Sequence, residues 1–396
     1  MAKVYYWHDV VPELNMECLI FSNEPRWEPG DEFYFDPDNP ITEDKIIWIQ
    51  LVDDKFVLPS DATGLFYKAD NECFNDIYKW DASECTNMSY MFYDCQKLKN
   101  SGYYQDPEVW PSATEYYFDP YNWDTSNVTN MSHMFENCNS LEEFSLYTWD
   151  VCKVSDMSYM FSRLGYAQTA TPITAMYIDT WDTTNVRNMS HMFEGVNCEE
   201  DFTVNVDISN WDVSNVEDFS YMFATTNFGF NISNWDTSSA KSFRAMFSAT
   251  PSTGYDISYL KTENADCSEL FWWCGRLEEV NICNLDLSST TTLSHMFSDC
   301  INLQRIVADP GTDWTQYPES QFTSVQDVFT NCYSLPNWTG NSDWTSANNT
   351  KSDGYFTAGP KTWVMYELYI KDEDDWVEAI PYVKDETAWN LTEVWR

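Results

Sequence analysis

The sequence predicts an α/β repeat solenoid, a stack of similar units that each contain a short parallel strand and a short helix. Three observations support this: one phrase recurs along the chain, alternating apolar residues precede it, and an apolar i, i+3, i+4 pattern ends it. Units of this kind bury their apolar faces only against their neighbours. A period of about 24 to 26 residues, with insertions, is typical of such stacks.

The recurring phrase is W-D-x-S-x-V-x-x-M-S-x-M-F. Six clear copies occupy residues 80–92, 123–135, 149–161, 181–193, 211–223 and 235–247. Three worn copies follow at residues 259–271, 285–297 and 317–329.

Each unit is predicted to run from strand to turn to helix. Segments 277–282 and 303–307 alternate apolar and polar residues, which indicates strands with one buried face, and segments 141–146 and 202–206 follow the same pattern. Because these strands are separated by crossovers, they can pair only in parallel. The Trp-Asp-x-Ser stretch indicates a turn. Met131, Met134 and Phe135 then predict a short helix with one apolar face.

The phrase, followed by Asn-Cys-x-Ser-Leu near Cys138 and Cys332, resembles the BspA-like leucine-rich repeats. The resemblance covers residues 80–335 and implies a leucine-rich-repeat-like right-handed solenoid used for adhesion or assembly. Such repeats are common in bacterial surface proteins, mycoplasma lipoproteins and some bacteriophage structural proteins. The resemblance implies no catalytic residues, so none are assigned.

The chain is predicted to contain four parts. Residues 1–72 form a β-rich N-terminal cap or attachment module, with strand-like segments at 32–35 and 46–52, and residues 73–335 form a solenoid of about nine units. Residues 336–360 form a polar linker, and residues 361–396 form a duplicated small β module. In that module residues 369–376 are echoed by residues 382–389, which resembles C-terminal modules of fibre proteins from crAss-like and other phages of gut Bacteroidetes.

The chain is strongly acidic: 21 Lys and Arg against 64 Asp and Glu give a net charge of −43. This charge disfavours nucleic-acid phosphates and anionic membranes as partners. No segment approaches the roughly 20 apolar residues that span a bilayer, and no signal-peptide stretch is visible at Met1. We therefore expect no nucleic-acid partner and no membrane insertion.

Twelve cysteines raise the question of disulfides. Five of them follow a repeat phenylalanine by three residues: Cys95, Cys138, Cys274, Cys300 and Cys332. Residues at one phase of a solenoid lie in one column, where cysteine acts as a small buried apolar residue. We expect reduced, buried thiols, and the spacings offer no zinc-binding pattern.

Two polar columns are candidates for function. The Trp-Asp aspartates (Asp81, Asp124, Asp150, Asp182, Asp212 and Asp236) are interpreted as turn-bonding residues, with a calcium ladder as the alternative. One further column holds tyrosine or histidine and is either a partly exposed packing position or a ligand-facing aromatic strip. Its candidate binding residues are Tyr90, His133, Tyr159, His191, Tyr221 and His295.

Of the 19 tryptophans, six occupy the repeat phase and are expected to be structural, so the other thirteen are better candidates for sugar stacking or protein docking.

These patterns predict a non-enzymatic structural protein of a tailed-phage virion, a fibre or appendage of the head or tail. It would be assembled in the host cytoplasm and need no cofactor or metal. Its expected partners are other virion proteins, further copies of itself, and a glycan or protein of the host surface. The alternative is a cell-surface or secreted bacterial adhesin of the same repeat family.

Overall fold

The computed structural model describes most of the repeat region and parts of both ends, and the statements below concern these residues. They are 5–11, 16–22, 47–52, 55–69, 77, 80–98, 120–141, 145–165, 176–197, 207–226, 231–283, 285, 287–309, 314, 317–336, 338, 355–358, 368–372, 375–379, 382–384 and 389–391.

A ladder of parallel bridges joins ten successive units within this part of the chain. Each unit contributes one rung residue, and the ladder runs Asp61, Asn87, Asn130, Asp156, Asn188, Asp218, Ser242, Asp266, Thr292 and Ser324. The parallel pairing predicted from the crossovers is therefore confirmed. The first rung, Asp61, precedes the nine copies of the phrase and lies within the range assigned to the N-terminal module.

The stretch predicted to be helical is instead a run of turns, so that prediction was wrong. In the unit of Met131, the amide N–H groups of Met131, His133 and Phe135 donate to carbonyls of the next unit at 2.8–3.0 Å. The amide of Met134 closes a turn on the carbonyl of Met131 at 3.3 Å. Because every second amide is committed to the neighbouring unit, the i to i−4 bonds of an α-helix cannot form.

Two residues in each unit have positive φ, one two residues before the repeat phenylalanine and one two residues after it. In the unit of Phe135 these are His133 with φ of 59° and Asn137 with φ of 62°. A positive φ at the third position is what a type II turn requires. Among the described residues Glu319–Gln321 forms a 3-10 turn, Ile77 and Trp314 also have 3-10 conformation, and no α-helix is present.

Four short strands form a parallel sheet near the end of the stack, and both strands predicted there are confirmed. The sheet pairs β6 (Gly254–Asp256), β7 (Glu279–Asn281), β8 (Arg305–Ala308) and β9 (Phe356–Ala358) in that order. Predicted strands 277–282 and 303–307 correspond to β7 and β8, whereas residues 202–206 lie outside the described part and residues 141–146 are only partly described.

The N-terminal strands form one sheet that ends on the repeat region. Antiparallel pairs join the first four strands, and the fourth pairs in parallel with a strand at Trp80. The strands are β1 (Tyr5–Val11), β2 (Met16–Ser22), β3 (Ile47–Val52), β4 (Lys55–Val57) and β5 (Trp80–Asp81). Predicted segment 46–52 thus contains a strand from Ile47 to Val52, whereas segment 32–35 lies outside the described residues.

The C-terminal duplication forms two antiparallel hairpins with the same register, since Lys371 faces Trp376 in one and Lys384 faces Trp389 in the other. Their strands are β10 (Leu368–Asp372), β11 (Asp375–Ala379), β12 (Tyr382–Lys384) and β13 (Trp389–Leu391). The division into four domains stays a prediction. Strand β9 and the buried Tyr355 fall within the segment expected to be a linker.

The core is a column of ten stacked phenylalanine rings, one from each unit. Neighbouring centroids lie 5.3–6.1 Å apart along Phe66, Phe92, Phe135, Phe161, Phe193, Phe223, Phe247, Phe271, Phe297 and Phe329. Offset and parallel ring pairs of this kind add to the free energy of apolar burial. The structure is therefore that of a repeat protein whose units share one continuous core.

A second column contains the six repeat tryptophans, all buried as expected. Five of them donate the indole N–H to a carbonyl of the preceding unit at 2.9–3.1 Å: Trp123, Trp149, Trp181, Trp211 and Trp235. Each indole therefore packs in the core and satisfies a buried carbonyl at the same time.

The cysteines are free thiols, as predicted, at the nine positions whose side chains the structure describes. Each of the five column thiols donates from Sγ to the carbonyl of a phenylalanine in the preceding unit at 3.0 Å. Burial raises the pKa of the Cys332 thiol to about 12 and that of Cys95 further above its usual range. These thiols are structural and unreactive in the folded protein.

The Trp-Asp aspartates act in turns, which confirms the interpretation favoured from sequence. Each accepts a hydrogen bond at Oδ1 from the backbone N–H two residues on, at 3.0–3.1 Å. These bonds lower the pKa of Asp212 below its usual range, with the Ser214 contacts as the main cause. The alternative was a calcium ladder. Among the described residues, no group of three His, Cys, Asp or Glu side chains could hold a metal ion.

Candidate functional site

Five of the six candidate binding residues form one unbroken stack of rings, which we name the ring column. It consists of Tyr90, His133, Tyr159, His191 and Tyr221, one from each of five successive units. Neighbouring centroids lie 4.1–4.6 Å apart and the ring planes are within 8–11° of parallel. The chain thus places alternating phenol and imidazole rings at the spacing of its units.

The backbone explains why the rings coincide. Each ring column residue has a φ of 57–59°, so each side chain leaves the turn in the same direction. The amide of His133 donates to the carbonyl of Ser158, and that of Tyr159 donates to the carbonyl of Ser190, at 2.8 and 2.9 Å. These bonds fix the rings of adjacent units above one another. All five rings are half-buried, with their faces covered by each other.

Each histidine of the ring column is held by a glutamate three residues later. The distance from His133 Nδ1 to Glu136 Oε2 is 2.5 Å, and from His191 Nδ1 to Glu194 Oε2 it is 2.6 Å. The two imidazole side chains are each 19% exposed. Since Nδ1 contacts the glutamate, Nε2 is the ring nitrogen that can meet a ligand.

Two phenols of the ring column, those of Tyr159 and Tyr221, have a raised pKa. Burial, followed by the nearby Glu194 and Glu136 carboxylates, raises the pKa of Tyr159 to about 12. Burial and the Glu269 carboxylate raise the pKa of Tyr221 as well. The column therefore offers neutral hydroxyl groups, which can donate and accept hydrogen bonds.

A charged pair closes one end of the ring column, and further aromatic rings close the other. At the last ring, the Tyr221 hydroxyl donates to Glu269 at 3.1 Å, and the Arg244 guanidinium lies 5.9 Å from the ring centroid. Arg244 also pairs with Glu269 at 2.9 Å. At the first ring, Tyr67 and Tyr93 pack beside Tyr90, at centroid distances of 6.5 and 5.6 Å.

The sixth candidate, His295, does not belong to the ring column. Two units separate it from Tyr221, and the corresponding positions hold Ala245 and Glu269. His295 does occupy the same position in its unit, as predicted, since its φ of 59° matches that of the ring column residues. Contact between rings, however, requires a ring in every unit.

Sequence reasoning missed the glutamates that hold the histidines. The signal was available, because His-Met-Phe-Glu occurs twice, ending at Glu136 and Glu194. The clamp of Arg244 and Glu269 joins two units through residues 25 positions apart, and no local pattern points to it.

In the part of the chain that the structure describes, no helix is both long and apolar enough to cross a membrane.

The parallel ladder, the stacked core columns and the near-identical units define a repeat protein. Comparison with known families then gives four overlapping matches, at residues 60–168, 112–197, 164–277 and 261–362, to the family described as "Mycoplasma protein of unknown function, DUF285". The matches span more than half of the chain, and the chain belongs to this family. This confirms the resemblance to BspA-like repeats and leaves the phage assignment a prediction. No curated protein and no solved structure matches the chain.

Proposed function

We propose that this chain is a non-enzymatic structural and recognition protein, a fibre or appendage of a tailed-phage virion built on a right-handed solenoid. The observation that carries the recognition role is the ring column. A half-buried strip of five rings across five units is an extended contact surface, the kind that stacked repeats use for binding.

The chemistry of the ring column fits binding better than catalysis. Its glutamates pair with imidazoles of their own units, and the two pairs are separated by the unit of Tyr159. Rigid aromatic side chains give large contact area at low cost in conformational entropy. We therefore assign the column to contact with a host-surface glycan or protein.

The C-terminal duplication supports attachment to a larger assembly. Two hairpins of the same register, β10 with β11 and β12 with β13, form a small repeated unit beyond the stack. Other virion proteins and further copies of this chain are its proposed partners. The net charge of −43 opposes self-association through uniform surfaces and favours assembly through specific contacts.

Mass spectrometry of density-purified particles tests the virion assignment. We expect this chain to be present at a fixed ratio to the major capsid protein. Its absence from the particles, with the chain detected in the lysate, would overturn the proposal.

A double variant tests the recognition surface. Binding of the purified chain to host cells, measured by flow cytometry, should fall at least about tenfold in Tyr159→Ala with His191→Ala. The matched control is Tyr147→Ala, which removes an exposed ring outside the column. Equal binding by all three proteins would contradict a role for the ring column.

The family match favours a second candidate, a bacterial cell-surface or secreted adhesin, because the family is described from Mycoplasma, a cellular organism. This candidate predicts exposure on intact cells. Brief protease treatment of living cells should then release peptides of this chain, whereas the virion assignment predicts release only from particles.

A further inference from the structure

An exposed apolar patch, mostly aromatic, lies on the last three units of the stack, outside the ring column. Its members are Trp272, Trp273, Ile301 and Tyr333, and we name it the Trp patch. They are 38%, 62%, 45% and 56% exposed, which is unusual for residues of this size in a chain that buries its repeat tryptophans almost completely.

A fixed polar network borders the Trp patch. The Asn331 amide donates from Nδ2 to Asp299 Oδ1 at 2.6 Å, and the Tyr333 hydroxyl donates to Asn331 Oδ1, also at 2.6 Å. The Ser298 hydroxyl donates to Asp299 Oδ2 at 3.1 Å. These bonds hold the carboxylate and the amide in one arrangement beside the aromatic rings, as a preorganised binding site requires.

The stack places Trp273, Asp299 and Asn331 in one column. The amide of Trp273 donates to the carbonyl of Ser298 at 3.0 Å, and that of Asp299 donates to the carbonyl of Thr330 at 2.8 Å. Three units extend over about 10 Å, given roughly 4.8 Å for each step. The patch therefore has the dimensions of one or two sugar rings.

Stability does not explain a tryptophan at position 273. Its φ is 63°, in the left-handed region that suits glycine and asparagine and disfavours bulky residues. Its side chain is the most exposed large apolar group among the described residues. The same position in other units holds smaller or polar residues, including Asn137, Gly195 and Ala249. A costly backbone conformation with little burial in return points to function.

We propose that the Trp patch binds a neutral saccharide. A pyranose has an apolar face of C–H groups, which can lie on the ring of Trp273, and a rim of hydroxyl groups, which can donate to Asp299 and accept from Asn331. Aromatic stacking together with a few fixed polar groups is the usual composition of a small-ligand site. The inference deepens the proposed recognition role and rests on it.

Charge and area select this ligand class. A chain of net charge −43 repels anionic polysaccharides, so the favoured ligand is uncharged. A stable protein interface buries roughly 800 Å² on each partner. Four exposed side chains over about 10 Å supply much less than that, so a globular protein partner is disfavoured.

The opposite end of the stack provides an internal comparison. Asp94 and Asn137 repeat the carboxylate and amide pair at the same phase. There the neighbouring rings are already engaged, because Tyr67 and Tyr93 stack at 4.8 Å and the Lys68 ammonium lies 5.1 Å from the Tyr67 centroid. In the Trp patch Tyr333 also packs edge-on against Trp338 at 4.9 Å, so the difference between the two ends lies in the exposed ring of Trp273.

Binding of the full chain to immobilised oligosaccharides tests the proposal. The probes are neutral oligomers of glucose, mannose, galactose and N-acetylglucosamine, with polygalacturonate fragments as anionic counterparts. We expect at least one neutral series to bind and the anionic fragments not to bind. In Trp273→Asn the affinity for that series should fall at least about tenfold, which is 1.4 kcal/mol.

Trp273→Asn also guards against misfolding, since asparagine occupies this position at Asn137 and Asn331. Its Tm should equal or exceed that of the native chain. Asn331→Ala should weaken binding, whereas Asn137→Ala and Tyr147→Ala should leave it unchanged. Failure of every neutral probe to bind would overturn the inference, and so would full binding by Trp273→Asn. Neither result bears on whether the chain is found in virions, which particle mass spectrometry decides separately.

Discussion

Two regions of the stack are held together differently. We call the six clear copies of the phrase, from 80–92 to 235–247, the consensus units, and the three that follow, from 259–271 to 317–329, the worn units. In five of the six consensus units the repeat tryptophan donates a hydrogen bond to a carbonyl of the preceding unit. In worn units that position holds Tyr259, Leu285 or Tyr317, and strands β6 to β9 add backbone hydrogen bonds beside it.

The two regions share the phenylalanine column and differ in how neighbouring units are connected. The phenylalanine column passes through both regions with the same spacing, from Phe66 to Phe329. A connection between units, by contrast, is made by an indole in one region and by backbone strands in the other. A hydrogen bond of either kind contributes roughly 0.5–1.5 kcal/mol, so the two solutions are comparable in strength.

The largest expected effect comes from the shared core. Phe193→Ala in a consensus unit and Phe297→Ala in a worn unit should each lower the free energy of unfolding by about 3–5 kcal/mol, because both rings are fully buried. Urea denaturation followed by circular dichroism measures this. Tyr147→Ala, an exposed control, should change it by less than about 0.5 kcal/mol. A large loss at only one of the two phenylalanines would show that the regions do not share a core.

An intermediate effect is expected for the indole bond of consensus units. Trp181→Phe keeps an aromatic ring but removes the bond to the Leu146 carbonyl and leaves a small cavity. The loss should be roughly 2–3 kcal/mol in the same denaturation experiment. Trp273→Phe in a worn unit, where the indole is exposed, should be close to neutral. Equal losses at both positions would argue against the indole connection.

The ring column contributes to the response of the consensus units to alkaline pH. The pKa of Tyr159 is about 12 in the folded protein against an ordinary 10.0. A raised pKa means that its contribution is fully present below pH 10 and is lost as pH rises to about 12. Tyr159→Phe should therefore flatten the pH dependence of unfolding in that window, relative to the native chain. An unchanged slope would mean that Tyr159 is not buried in the stack.

The smallest effect concerns thiol reactivity rather than stability. Cys152 is partly exposed, whereas the column thiols such as Cys300 are buried. Iodoacetamide should alkylate Cys152 first, and the column thiols only in urea, although a hydrogen bond with Asp150 raises the pKa of Cys152. Peptide mass spectrometry over time measures the order. Native alkylation of Cys300 at the rate of Cys152 would show that the worn units open readily.

The columns of the core could be predicted because a repeat turns sequence phase into spatial position. Phe135, Trp123 and Cys138 are buried for the reason that their phases indicated. The turns could not be told from helices, since Met131, Met134 and Phe135 face inward in either conformation. The turn differs from a helix in the positive φ of His133. A glycine at that position would have indicated a positive φ in the sequence, whereas a histidine does not.

The ends of the stack and the candidate site were harder to predict. The first rung, Asp61, belongs to a unit that keeps Phe66 but none of the tryptophan or methionine residues of the phrase. His295 was predicted to belong with the ring column residues because it occupies the same position in its repeat. Its separation from Tyr221 depends on which residues occupy the intervening units, Ala245 and Glu269.

The alternating ladder of amides makes the stack extensible in whole steps. Each unit donates backbone amides to the next unit in the same pattern, as with Met88 to Asn130 and Phe219 to Ser242. The pattern holds whether successive rungs are 24 residues apart, as for Asp218 and Ser242, or 43, as for Asn87 and Asn130. Recombination between near-identical copies can therefore add or delete a complete unit and keep the backbone hydrogen bonds between units satisfied. The reach of the protein then changes in increments of roughly 4.8 Å, while a deletion of part of a unit breaks the stack.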